Sequence, residues 1–143
     1  MSKKLNVLFL CTGNSCRSQM AEGWARALLS DRIKAYSAGI ETHGLNPYAV
    51  KVMGEAGVDI TNHKSQLLSE FDAESIDLVI TVCDNAKESC PIFPGGCKVI
   101  HRSFQDPPKM ALEFEDEEKK TDCYRKVRDE IKQFITDELP CLL

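Results

Sequence analysis

The hydrophobic pattern of this chain alternates between short apolar runs and longer stretches with the spacing of a helix. Residues 4–10 form an apolar run that ends at a glycine-containing loop, which predicts a buried parallel strand. After that loop, apolar residues recur at helical spacing over residues 17–29, which predicts a helix directly after the strand. A strand, a loop and a helix in this order are the first part of a βαβ unit.

The rest of the chain continues this alternation. Further strands are predicted at residues 33–38, 76–83 and 98–101, and further helices at residues 46–57 and 116–138. The last helix carries an apolar face that includes Tyr124, Val127 and Ile131. Alternating strands and helices imply one α/β domain with a mostly parallel sheet covered by helices on both faces.

The predicted sheet also indicates where a functional site should lie. In parallel α/β sheets, ligands bind at the carboxyl ends of the strands. Cys11 and Cys83 stand at two such ends, and the loop that holds Asp106 follows another. We therefore expect these three side chains at one edge of the sheet.

Length and charge exclude several classes of protein. A chain of 143 residues fits a single domain over residues 1–143. The formal net charge of −4 argues against a general nucleic-acid binder, which needs a basic excess. The longest uncharged apolar run is far shorter than the ~20 residues that a membrane span needs, and the N-terminus lacks the pattern of a signal peptide. We expect a cytoplasmic protein that binds neither nucleic acid nor membranes.

Cysteine content is the unusual feature of the composition. The chain has seven cysteines: Cys11, Cys16, Cys83, Cys90, Cys97, Cys123 and Cys141. An odd number without an export signal does not indicate a disulfide framework, because thiols stay reduced in the cytosol. The cysteines are therefore packing residues, metal ligands or reactive groups.

The loop between the first strand and the first helix carries the clearest chemistry. Cys11 and Arg17 are separated by five residues, and the glycine and asparagine between them permit a tight turn. Backbone N–H groups of such a loop and the helix N-terminus together suit a tetrahedral oxyanion. The residues expected to bind it are Thr12, Gly13, Asn14, Ser15, Cys16 and Arg17.

Cys11 is the expected nucleophile of this loop. The positive field of the loop should favour its thiolate form, which is the reactive one, and Ser18 in the first turn of the helix could donate a hydrogen bond to it. Arg17 can add a bidentate contact to the oxyanion. The alternative is a buried structural Cys11 with a solvated Arg17. Cys16 is expected to pack as a small residue or to act as an off-pathway partner of Cys11.

This segment resembles the phosphate loop of low-molecular-weight protein tyrosine phosphatases. It resembles still more the thioredoxin-coupled arsenate reductases that share that fold. The matching stretches include residues 11–23 (CTGNSCRSQMAEG), residues 36–44 (YSAGIETHG), Asp106-Pro107 and residues 125–131 (RKVRDEI). The resemblance implies a four-stranded parallel sheet and the reduction of arsenate to arsenite, with thioredoxin as external reductant and no bound cofactor.

Two further cysteines separate a reductase from a phosphatase. A phosphatase hydrolyses its cysteinyl intermediate with water, whereas a reductase needs electrons, which a second thiol can supply. Cys83 could attack Cys11, and Cys90 could then attack Cys83. The resemblance implies this relay, with the disulfides Cys11–Cys83 and Cys83–Cys90. The alternatives are a packing role for Cys83 with an incidental Cys90, and a phosphatase whose extra cysteines are redox-regulatory.

Asp106 is the expected proton donor. An Asp-Pro pair can simply shape a turn, but in the families that the chain resembles it supplies the acid that protonates the leaving oxygen. Those phosphatases usually continue with an aromatic residue, whereas this chain has Pro108 and Lys109. This departure favours the reductase, with at most a weak side phosphatase activity.

No metal is predicted. Cys83, Cys90, Cys97 and His101 lack the close ligand pair with which structural zinc sites begin. Some relatives hold potassium behind the loop, and Asn14, Glu22 and Ser37 match contributing positions, but Gln66 stands where those relatives have an acidic residue. The three histidines are expected to be structural, Cys97 to be an exposed loop thiol, Cys123 to lie in the last helix and Cys141 in a short tail.

The segment 83–90 carries a conformational prediction. Asp84 suits a helix N-cap, and a short helix up to Cys90 would separate the two Cα atoms by about 10 Å. A disulfide tolerates Cα separations of up to ~7 Å, so we expect this segment to unravel on oxidation.

Overall fold

The strands of this protein follow the predicted apolar runs closely. The computed structural model describes residues 4–12, 16–42, 44–83 and 97–143. Within these residues the strands are β1 (Leu5–Leu10), β2 (Ile33–Ala38), β3 (Leu78–Thr81) and β4 (Lys98–His101). All pair in parallel in the order β2-β1-β3-β4, which confirms the predicted four-stranded parallel sheet.

The helices of the described residues connect and cover these strands. They are α1 (Arg17–Leu28), α2 (Pro47–Glu55), α3 (Pro107–Ala111) and α4 (Glu117–Gln133). The start of α2 shows why the sequence folds this way locally. Asn46 Oδ1 accepts from the backbone N–H of Tyr48 at 2.9 Å and of Ala49 at 3.3 Å, and Pro47 occupies the first position, where its missing N–H costs nothing.

The central strand β1 is buried on both sides, as expected for a strand inside a parallel sheet. Val7 and Phe9 point to the larger core, which α1, α2 and α4 share. Leu8 and Leu10 point to the smaller core, which is covered by the segment around the 3₁₀ turn Leu68–Glu70. β1 therefore fixes the position of the loop that follows it.

Two predicted elements are shorter in the structure, and one helix was not predicted. The strand predicted at residues 76–83 is limited to β3, and just before its start the Asp77 carboxylate accepts the Asn6 N–H at 2.8 Å. The last helix changes after α4 to a π turn, Phe134–Glu138, and a 3₁₀ turn that contains Pro140. Since Pro140 has no N–H to donate, regular α-helical bonding cannot continue through it. The short helix α3 was not predicted, but it begins at Pro107, a position that suits proline.

The prediction for Cys97 is wrong in part. Its side chain, directly before β4, is half-buried and packs against the smaller core, so it is not simply an exposed loop thiol. Cys123 lies buried in α4, and Cys141 is exposed near the C-terminus. No helix in the described parts of the chain is both long and apolar enough to cross a bilayer.

Candidate active site

The residues that follow three strands are held at one edge of the sheet by main-chain hydrogen bonds. The N–H of Cys11 donates to the carbonyl of Ala38 at 3.1 Å, beyond the end of β2. The N–H of Val82 donates to Leu10 at 2.9 Å, and the N–H of Phe104 donates to Val82 at 3.2 Å. These bonds continue the sheet past its strands, so the segments that carry Cys11, Cys83 and Asp106 begin side by side.

Cys11 contacts the residue that was expected to support it. Its thiol is 3% exposed, and its Sγ lies 2.9 Å from the hydroxyl oxygen of Ser18, which is fully buried. Ser18 is in the first turn of α1, where a hydroxyl beside the helix N-terminus can donate to a thiolate. The structure thus brings together a nucleophile and a hydrogen-bond donor that are seven residues apart.

Arg17 links this loop to the loop after β4. Its guanidinium is 5% exposed, and Nη1 donates to the carbonyl of Phe104 at 3.1 Å. Nη2 lies 3.9 Å from Oδ1 of Asp106, a contact that brings the predicted acid to the predicted oxyanion-binding residue. Asp106 precedes the first residue of α3, and its side chain is 29% exposed, so a substrate or water can reach it.

Cys16 is the last residue of the same loop before α1, and it is buried. Burial is the main cause that raises the pKa of its thiol well above the usual value, and the neighbouring Cys11 adds to the effect. Cys16 is therefore a neutral thiol at physiological pH, which agrees with the packing role expected for it.

The oxidation states of the cysteines divide them into two groups. The described free thiols are Cys11, Cys16, Cys97, Cys123 and Cys141. Cys83 is fully buried and takes part in a disulfide. Cys90, the partner that the sequence predicts for it, lies outside the described residues, as does the predicted hinge at residues 84–90. The predicted Cys11–Cys83 disulfide is not the state present here, because Cys11 is free.

The middle of the phosphate loop, Gly13, Asn14 and Ser15, also lies outside the described residues. Thr12, the residue before it, is anchored. Its carbonyl accepts from the N–H groups of Ile40 at 3.0 Å and Glu41 at 3.1 Å. The start of the loop is thereby tied to the segment that follows β2.

A cluster of polar side chains around the buried Glu22 was not predicted as a functional element. We call it the Glu22 cluster: Gln19, Glu22, Arg26, Ser37 and His63. The Glu22 carboxylate accepts from the Ser37 hydroxyl at 2.6 Å and pairs with Arg26 Nε at 2.9 Å. Polar residues at positions 18, 19 and 22, on the buried side of α1, were the available signal in the sequence.

His63 completes this cluster on its other side. Its Nε2 lies 3.6 Å from Glu22, and its Nδ1 lies 3.0 Å from the Gln19 side-chain oxygen. Burial lowers the pKa of His63, and the nearby carboxylate of Glu22 partly opposes that effect. His101 contacts Thr81 at 2.6 Å, so both described histidines have structural partners, while His43 lies outside the described residues.

Potassium was left out of the sequence-based prediction, and two of the positions considered for it belong to the Glu22 cluster. Glu22 and Ser37, two of the positions considered, bond to each other, and Arg26 already supplies a cation to the carboxylate. Among the described residues there is no group of three or more histidine, cysteine or acidic side chains that could hold a metal ion.

Tyr124 was predicted only as part of an apolar helix face. It lies in α4, is 2% exposed, and its hydroxyl oxygen accepts from Asn46 Nδ2 at 3.2 Å. Burial is the main cause that raises the pKa of Tyr124 to about 12, the Asn46 bond opposes it, and electrostatic interactions with Cys16 and Asp106 raise it further.

Comparisons with known proteins agree on the family. The model of the low molecular weight phosphotyrosine protein phosphatase family matches residues 6–139. A Bacillus licheniformis protein named arsenate reductase is 51% identical over 135 residues, 94% of each chain. A Bacillus subtilis protein of the same name is 50% identical over 125 residues, 87% of this chain and 88% of the relative. The solved structure described as an arsenate reductase in the phosphate binding state has a TM-score of 0.79 and 30% identity, and the match covers 97% of this chain and 99% of that one.

Proposed function

The chain belongs to the low molecular weight phosphotyrosine protein phosphatase family, and on this premise we propose that it is an arsenate reductase. The observation that carries the proposal is that two cysteines in different oxidation states, one a free thiol and one in a disulfide, follow neighbouring strands at one edge of the sheet. Cys11 is a free thiol beside Ser18, whereas Cys83, after the neighbouring strand, is in a disulfide. Hydrolysis of a phosphate ester needs only the first of these cysteines, so the redox-active second one supports a reductase.

The first step is attack on arsenate. The oxyanion binds to the loop N–H groups and to Arg17, and the Cys11 thiolate forms a bond to arsenic. Asp106 gives a proton to the departing oxygen, which leaves as water. The contact of 3.9 Å between Arg17 and Asp106 supports these roles, because it sets the anion-binding group beside the acid.

The second step transfers the electrons. The thiolate of Cys83 attacks the sulfur of Cys11 and forms a disulfide. The electron pair of the broken sulfur–arsenic bond stays on arsenic, which leaves as arsenite. Arsenic is thereby reduced by two electrons, and the two thiols are oxidised by two.

The third step restores Cys11. Cys90 attacks the sulfur of Cys83, which releases the Cys11 thiolate and leaves a Cys83–Cys90 disulfide. An external dithiol protein, thioredoxin in this proposal, reduces that disulfide, and no bound cofactor is needed. A free Cys11 together with an oxidised Cys83 is the combination expected after this step. We place the protein in the cytoplasm, where such reductants keep thiols reduced.

A second candidate function is a tyrosine phosphatase with redox-regulatory cysteines. Both enzymes would use Cys11, Arg17 and Asp106, and these three groups suffice for phosphate ester hydrolysis, which favours the phosphatase as the second candidate. In our proposal this activity survives as a weak side reaction.

The test is arsenate-dependent oxidation of NADPH in the presence of thioredoxin and thioredoxin reductase. Wild type should turn over steadily, and Cys90→Ser should stop after a single turnover because Cys83 cannot pass its disulfide on. Cys141→Ser is the matched control, since Cys141 is exposed and outside the site, and it should keep the wild-type rate. A Cys90→Ser variant that turned over at the wild-type rate would refute the relay.

A further inference from the structure

Phe104 ties the loop that carries Asp106 to three other parts of the molecule. We call residues 102–106, between β4 and α3, the acid loop. The N–H of Phe104 donates to the carbonyl of Val82 at 3.2 Å, and its carbonyl accepts from Arg17 Nη1 at 3.1 Å. Its buried ring meets the ring of Phe134 edge to face, with centroids 6.0 Å apart. Because Asp106 follows Phe104 by two residues and α3 begins directly after it, the position of Phe104 limits where the Asp106 carboxyl can lie.

Arg102, at the start of the acid loop, contacts both of these rings. Its guanidinium carbon lies 4.9 Å from the centroid of the Phe104 ring and 5.7 Å from that of Phe134, distances within the range of cation–π attraction. Its Nη2 donates to Oε2 of Glu138 at 3.3 Å. Phe134 and Glu138 are the first and last residues of the π turn that follows α4. Arg102 therefore joins the acid loop to the end of the last helix.

The stacking of Arg102 should matter more than its ion pair. The side chains of Arg102 and Glu138 are 40% and 50% exposed, and ion pairs as exposed as this contribute little. The two rings are buried, and a planar guanidinium can stack on a ring face in a way that an ammonium group cannot. Without this side chain the Phe104 ring would be held less firmly, and the main chain that leads to Asp106 would follow it.

We propose that Arg102 is a positioning residue, which by stacking on Phe104 holds Asp106 in place to donate its proton. This inference rests on the proposed function, because it takes Asp106 as the acid. In ester hydrolysis the Cys11 thiolate forms a bond to phosphorus, and the bond between phosphorus and the ester oxygen breaks. Its electron pair stays on that oxygen, which takes up the proton of Asp106.

The test uses two phosphate esters whose leaving groups differ in their need for a proton. p-Nitrophenolate is stable as an anion and leaves readily, whereas phenolate is more basic and depends on the acid. A misplaced Asp106 should therefore slow the hydrolysis of phenyl phosphate more than that of p-nitrophenyl phosphate. We expect Arg102→Ala to lower kcat/KM about five-fold for phenyl phosphate, the rate equivalent of one cation–π contact, and less than about two-fold for p-nitrophenyl phosphate.

Two further variants separate positioning from charge and from folding. Arg102→Lys keeps the positive charge but not the planar group, so it should restore only part of the rate with phenyl phosphate. Arg32→Ala is the matched control, because Arg32 is also exposed and donates to the carbonyl of Pro140, just beyond the same π turn, at 3.5 Å. It should behave as wild type with both esters. Thermal unfolding checks that each variant keeps the fold.

The inference would be overturned by unchanged rates in Arg102→Ala, by equal losses with the two esters, or by full recovery in Arg102→Lys. Asp106→Asn is the reference and should show the same selective loss with phenyl phosphate, but a larger one. If Asp106→Asn slowed both esters equally, the proposed acid would be wrong and the inference would fall with it. A protein that showed the selective Arg102→Ala effect but failed to reduce arsenate would refute the proposed function and leave this inference standing.

Discussion

Two clusters of charged side chains each pair a glutamate with arginine, but one glutamate is buried and the other lies at the surface. The Glu22 cluster lies behind the catalytic loop, and its carboxylate is 7% exposed. A second set, which we call the Glu55 cluster, joins α2 to α4 at the surface: Glu55, Glu118, Asp122, Arg125 and Arg128. Its central carboxylate is 35% exposed and pairs with Arg125 at 2.8 Å and Arg128 at 3.4 Å.

The two clusters differ in what replaces a lost partner. At the surface, water solvates a charge whose partner is removed, so exposed ion pairs contribute little. In the interior, removal of one partner leaves a polar group that water cannot reach, and the loss is large. The Glu22 cluster also connects α1 to β2 and to the segment around His63, and Gln19 follows Ser18 directly in α1. The buried cluster should therefore matter for stability and for the site, and the exposed one for neither.

The largest expected effect is that of Glu22→Ala. Removal of this carboxylate leaves the buried Ser37 hydroxyl without its acceptor, whereas water can solvate Arg26, whose side chain is 55% exposed. We expect the free energy of unfolding to fall by about 2 kcal/mol, the cost of an unsatisfied buried donor. Urea denaturation at neutral pH measures it. A loss below about 0.5 kcal/mol, the size typical of surface substitutions, would show that the cluster is no more important than an exposed one.

A second effect is the pH dependence that His63 gives to the buried cluster. Its pKa is lowered from the ordinary value of 6.5, so the folded state favours the neutral ring while the unfolded chain takes up a proton more readily. The resulting stability is fully present above about pH 6.5 and is lost as the pH falls through the folded-state pKa. His63→Gln should therefore lose less stability on acidification than wild type.

Urea denaturation at a series of pH values between neutral and mildly acidic tests this directly. His101→Gln serves as the control, because His101 is exposed on the edge strand. Parallel stability curves for wild type and His63→Gln would contradict the lowered pKa of His63.

The smallest effect is expected for Glu55→Ala. Although three hydrogen bonds link its carboxylate to Arg125 and Arg128, all are exposed, so the loss of stability should be small, as for an ordinary surface substitution, and shrink further in high salt. The bond to Arg125 lowers the pKa of Glu55, so its contribution is present above the ordinary value of about 4.5 and lost at lower pH. A loss as large as that of Glu22→Ala would remove the distinction between the two clusters.

The parts of the site that the sequence predicts are those built from neighbouring residues. Cys11, Arg17 and Ser18 belong to one strand–loop–helix segment, so their contact follows from the local pattern. The positions of Cys83 and Asp106 follow from parallel topology, which sets all carboxyl strand ends at one edge. Both kinds of inference need only secondary structure and connectivity.

The contacts that the sequence does not predict depend on how segments far apart in the chain pack together. Gln19 and His63 are 44 residues apart, and Asn46 and Tyr124 are 78 residues apart. Hydrophobic periodicity assigns Tyr124 to the core face of α4, but it does not say which polar group its hydroxyl meets. The half-buried Cys97 is a similar case, since its environment depends on a core formed by β1 and β3.

The most direct test of the account is arsenite production by Cys83→Ser with thioredoxin present, measured beside hydrolysis of p-nitrophenyl phosphate by the same variant. Without the Cys83 thiol, electrons cannot reach arsenic, so the account predicts no arsenite. It also predicts a slow hydrolysis of the ester that persists, because Cys11, Arg17 and Asp106 are intact. Arsenite formed at the wild-type rate by Cys83→Ser would contradict the central claim.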